Sequence, residues 1–85
     1  MNKFFSVTFP LGAGFAIEGR VHAPTGFQAI EMAKHCIASC QRDKHLRNGA
    51  SPWSAEAAAY DMREMLDHCD ACFVEIDTAK EGGQK

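Results

Sequence analysis

The sequence predicts an α+β domain of order β-β-α-α-β: a small, mostly antiparallel three-stranded sheet with two helices packed on one face. Three observations predict it. Phe5, Val7 and Phe9 alternate with Phe4, Ser6 and Thr8, the two-residue period of a half-buried strand. Thr25 and Ser51 each precede a helical apolar period, with Gln28 three residues after the first and Pro52 directly after the second. A closing apolar run, Cys72 to Ile76, returns to the length and residue types of a strand.

Pro10, Gly12 and Gly14 stop the first strand and open a loop of about four or five residues. The second strand places Phe15, Ile17, Val21 and Ala23 on one face, and Ala16, Glu18, Arg20 and His22 on the other. Gly19 falls on the apolar face, which predicts a bulge or a helix lying close above it. Thr25 caps the first helix, whose apolar positions Phe27, Ile30, Ala33, Ile37 and Cys40 carry it to about residue 42. The stretch 42–51 loses the pattern, ends in Asn48-Gly49-Ala50-Ser51 and reads as a loop. In the second helix Ala55, Ala58, Met62, Met65, Leu66 and Cys69 share a face, and its alanines permit a close approach to a neighbour. The last strand is expected to point Cys72, Val74 and Ile76 inward and Phe73 outward. Residues 1–80 are expected to form a single domain and 81–85, a Gly-Gly tail, to be disordered.

Eighty-five residues with 46% apolar and 24% charged content suffice for one core. Nine basic residues against eleven acidic ones give a charge of −2, which excludes a uniformly basic nucleic-acid binder. No apolar run approaches the ~18 to 20 residues of a membrane span, and no signal peptide is evident, so a cytoplasmic chain without a membrane partner is expected. The charge is unevenly spread. Through residue 54 there are six basic and three acidic residues, while residues 55–85 hold eight acidic and three basic. Asp61, Glu64, Asp67 and Asp70 recur every three residues, and Glu75 and Asp77 continue the acidic run along the outer face of the last strand.

Cys36 and Cys40 stand one helical turn apart and Cys69 and Cys72 form a Cys-x-x-Cys, so the four could hold a tetrahedral zinc, with His35 and His68 as substitutes. Because three of the four fall on or near apolar faces, ordinary buried thiols are the preferred reading; no cofactor is expected, with zinc as the alternative. Arg42, Lys44, His45 and Arg47 form a basic segment that could contact phosphate, but three full charges supply little affinity. Gly12, Gly14 and Gly19 lack the following helix of a phosphate-binding loop. Four scattered histidines, without a nucleophile and orienting acid, imply no catalysis. The chain is therefore expected not to be an enzyme.

Trp53 stands beside the loop, and Phe4 and Phe73 are expected on the outer sheet face, where large rings call for a partner or a homodimer. With Asp61, Glu64, Asp67, Asp70, Glu75 and Asp77 they form the expected partner-binding set. The run from Arg20 to Ala33, Arg-Val-His-Ala-Pro-Thr-Gly-Phe-Gln-Ala-Ile-Glu-Met-Ala, passes from a strand directly into a capped helix. It resembles a pattern common in small phage and mobile-element proteins, including some anti-CRISPR proteins. The resemblance implies a stoichiometric inhibitor that occludes a nucleic-acid-binding site on a host CRISPR-Cas or similar ribonucleoprotein complex. The alternative is a zinc-stapled domain that binds nucleic acid through Arg42, Lys44 and Arg47.

Overall fold

A computed structural model describes residues 2–76. The order is β1 (Lys3–Gly12), β2 (Phe15–Ala23), α1 (Gly26–Arg47), α2 (Pro52–Asp67) and β3 (Cys72–Ile76). The sheet runs β2-β1-β3, antiparallel throughout, with β1 in the middle. This is the α+β architecture expected from the sequence. The tail 81–85 and Asp77 lie outside the described residues.

The inner face of β1 carries Phe5, Val7 and Phe9, all buried, and Val21, Gly19 and Ile17 stand opposite them on β2. Ala23, Ala29, Ala33 and Leu66 complete the core. Burying a residue such as Phe9 or Leu66 contributes on the order of 1.5 to 3 kcal/mol. The sheet-facing line of α1 is made of small residues, Gly26, Ala29 and Ala33, so the helix axis lies close to the strands. A Cβ on Gly19 would meet the Ala33 Cβ at 3.5 Å, the close helix approach that a glycine on an apolar strand face predicts.

Both helix starts follow the sequence signals. The Thr25 hydroxyl accepts from the Gln28 backbone N–H at 3.2 Å, and the Ser51 hydroxyl accepts from that of Ser54 at 3.1 Å, with Pro52 in the first turn. The hairpin is tighter than expected. Ala13 and Gly14 form the whole turn, both at positive φ, and a register shift between Pro10 and Gly12 absorbs the extra residue. Pro10 stays within β1 because β3 pairs only with Phe4 to Thr8, leaving the far half of β1 unpaired on that side.

Three expectations are corrected. The stretch 42–47 is the end of α1 and not a loop; the helix stops at Asn48, followed by Gly49 at φ +90°. Lys44 and Arg47 sit in its last turn, where cations complement the exposed carbonyls. Apolar periodicity marks where a helix is buried, and α1 continues as a helix beyond its buried part. In β3 the facing is reversed: Phe73 opposes Val7 and Glu75 opposes Phe5 on the helix side, while Cys72, Val74 and Ile76 oppose Thr8, Ser6 and Phe4 on the outer face. Phe27, expected in the apolar stripe of α1, is 77% exposed, because the buried line of α1 begins one residue earlier at Gly26.

Candidate interaction surface

Ala55 and Leu66 are the fully buried residues of α2, and Ala58, Ala59 and Met62 are half-buried beside them. At 100° per residue the opposite face of the helix carries Trp53, Ala57, Tyr60 and Glu64, spaced i, i+4, i+7 and i+11. Trp53 is 80% exposed and Tyr60 65% exposed, so neither ring plugs the helix contact. The small Ala57 lies between them on the same face. Glu56 and Asp61 border the stripe, and the Tyr60 hydroxyl donates to Glu64 Oε2 at 3.3 Å. Tyr60 was not singled out in the sequence, although its seven-residue spacing from Trp53 carried the signal.

The acidic residues do not act alike. Asp67 is committed to the chain itself: its carboxylate lies 2.9 Å from the Lys34 ammonium and 3.5 Å from Arg63. Arg63 also reaches Glu31 at 2.6 Å, and Lys34 reaches it at 3.3 Å, so the four residues tie α1 to α2. The hydrogen bond from Lys34 holds the Asp67 carboxyl below the usual carboxylate range, and the same bond raises the Lys34 ammonium above its ordinary value. Glu75, expected on the outer sheet face, stands on the helix side with Lys3 at 3.8 Å. Asp61, Glu64 and Asp70 are exposed.

The outer sheet face keeps an apolar strip, with different members than expected. Phe4 stacks on His22 with ring centroids 4.6 Å apart, and beside it lie Ile76 and Val74, the latter 64% exposed. Phe73 belongs to the helix side, edge-on to Phe5 and Phe27.

The basic end of α1 borders an open groove of about 530 Å³ beside β2, lined by Ile17, Gly19, Cys36, Cys40, Lys44 and Arg47 among others. Arg42 takes no part, its guanidinium lying 3.3 Å from Glu56 and 3.7 Å from Asp43. Of the three basic residues expected to contact phosphate, two therefore share a surface.

The thiols depart most from expectation. Cys36, Cys40 and Cys72 are exposed and Cys69 is half-buried against the core, so the buried-thiol reading is corrected. The four are not gathered around one point either. Cys36 and Cys40 lie on the helix covering the inner sheet face, and Cys72 is on the outer face opposite Thr8. Among the described residues no three His, Cys, Asp or Glu side chains are grouped as metal ligands, and no helix is long and apolar enough to cross a membrane. Comparison with protein-family models, curated proteins and solved structures found no match.

Proposed function

We propose that this chain is a non-enzymatic protein-binding module whose working surface is the outward face of α2. The observation that carries the reading is the pair Trp53 and Tyr60, two large rings standing in solvent on one helix face. Tryptophan and tyrosine dominate binding energy when a partner desolvates them, and holding them on a regular helix lowers the ordering cost of doing so. Asp61 and Glu64 beside the rings favour a partner surface rich in Lys and Arg, where complementary charge speeds encounter and fixes orientation.

A basic protein groove of that kind is what nucleic-acid machines present to their substrates. With the resemblance of residues 20–33 to small phage proteins, this supports an inhibitor that occludes a nucleic-acid site on a CRISPR-Cas or similar defence complex in the host cytoplasm. Trp53, Tyr60, Asp61 and Glu64 carry the contact. Direct binding of nucleic acid through the end of α1 is disfavoured by the engagement of Arg42 with Glu56.

Titration calorimetry against a purified, crRNA-loaded effector complex tests the reading. W53A and Y60A should each weaken binding by roughly 30-fold or more, the equivalent of about 2 kcal/mol at a hot spot. Unchanged affinity in both variants would remove this face from the proposal.

A further inference from the structure

β3 is an edge strand guarded by little more than one charge on its helix side, Glu75. Its side away from β1 has no strand partner among the described residues, so a row of backbone N–H and C=O groups faces outward. Proteins blunt such edges with lysine, proline, a bulge or an inward-pointing charge. The segment Cys72-Phe73-Val74-Glu75-Ile76 contains no lysine or proline, its pairing with β1 is regular, and Glu75 is engaged by Lys3. Apolar groups flank the edge on both sheet faces: Val74 on the outer one, and on the inner one Phe73, 38% exposed, with the ring of Phe27 5.9 Å away. The other edge, β2, differs. It carries Glu18, Arg20 and His22 on its outer face and lies under α1 at Gly19.

We propose that β3 pairs antiparallel with β3 of a second copy of this chain, joining two three-stranded sheets into one of six strands. An exposed strand edge calls for an extended backbone, and the side chains of β3 complement themselves. With the two-fold axis through Val74, every residue of the strand is paired: Val74 with its counterpart, Cys72 with Ile76 and Phe73 with Glu75. That register puts apolar groups opposite one another on the outer face and sets no like charges opposite each other. An axis through Glu75 would face two carboxylates, and an axis through Phe73 would run past the start of the strand at Cys72. The net charge of −2 per chain opposes association only weakly. The outer strip Phe4, Ile76 and Val74 becomes continuous across the axis.

Size-exclusion chromatography with light scattering on the full chain is the test. The wild-type mass should rise with concentration from 9.3 kDa toward twice that value. V74K places like charges at the axis and should hold the mass at one chain with an unchanged circular-dichroism spectrum, since the Val74 side chain is largely in solvent. V74E should do the same, and mixing the V74K and V74E chains should restore the dimer. A wild-type mass of one chain at every concentration would overturn the proposal, as would a V74K dimer or a mixture that fails to associate.

Discussion

The Cα of Gly26 lies against the ring of Phe73, so that a Cβ built there would fall within the van der Waals envelope of three of its ring carbons. The first residue of α1 is thus a socket for the one large side chain that β3 turns toward the helices. Phe5 and Phe27 close around the same ring, edge-on at 5.7 and 5.9 Å. The contact fixes which way β3 faces.

Replacing Gly26 with Ala should destabilise the fold by about 1 to 3 kcal/mol, the usual cost of overpacking, because the Phe73 ring must shift out of its place between Phe5 and Phe27 to admit the methyl group. Gly19→Ala is the matched control. Its Cβ would meet Ala33 and Ile37 at 3.5 and 3.8 Å, ordinary contact distances, so the change should stay within about 0.5 kcal/mol. Urea denaturation of the two variants makes the comparison; equal losses would show that the Phe73 socket has no special role.

The facing of β3 also marks where the sequence misleads. Three apolar residues, Cys72, Val74 and Ile76, alternate with Phe73 and Glu75, and alternation alone assigns the larger apolar set to the core. A two-residue period fixes the spacing of the faces but not their phase when both carry apolar groups. The deciding term is a tertiary one, the vacancy over Gly26, which lies 47 positions away in the chain. By contrast β1, β2 and both helix caps were legible, because their signals are local: strict alternation, Thr25 with Gln28, and Ser51 with Pro52. The acidic run of α2 was legible as composition only. That Asp67 turns to Lys34 while Glu64 remains on the outward face follows from where α1 packs, and no spacing in the sequence states it.

The Lys34–Asp67 pair predicts a pH dependence. The Asp67 carboxyl titrates below its ordinary value in the folded chain, so its contribution is present above the ordinary carboxylate range and lost as pH falls through the depressed value. The Lys34 ammonium titrates above its ordinary value, so its contribution is complete below that value and lost as pH rises through the raised one. D67N should therefore be less stable than wild type across neutral pH, with the difference shrinking at both extremes. A difference independent of pH, followed by urea denaturation from acid to alkali, would show that charge is not what Asp67 supplies.

Thiol exposure gives a separate check. Under native conditions Ellman's reagent should modify Cys36, Cys40 and Cys72 quickly and Cys69, against the core, more slowly. Cys72→Ala should change stability by no more than about 0.5 kcal/mol, as for other exposed positions, and EDTA should leave the melting temperature unchanged. Four slow thiols, or a loss of cooperative melting on chelation, would restore the metal reading.

The acidic border of the α2 face should set association rate more than stability. Reversing Asp61 and Glu64 together, with Asp67 left in place because it holds Lys34, should slow binding to a crRNA-loaded effector in a salt-sensitive way and leave the melting temperature nearly unchanged. Reversing Lys44 and Arg47 should leave the association rate intact. Stopped-flow or surface-plasmon-resonance rates at two salt concentrations separate the cases, and the opposite ranking of the two variants would move the contact to the end of α1.

The most direct measurement is a competition by fluorescence polarisation, using a labelled DNA target, a crRNA-loaded effector complex and this protein in rising amounts. Wild type should release the DNA at stoichiometric ratio, and the W53A/Y60A double variant should not. In the same titration without the effector, the labelled DNA should stay free. The contradicting result is a polarisation that rises when this protein alone meets DNA and is abolished by reversing Lys44 and Arg47, with the double aromatic variant behaving as wild type.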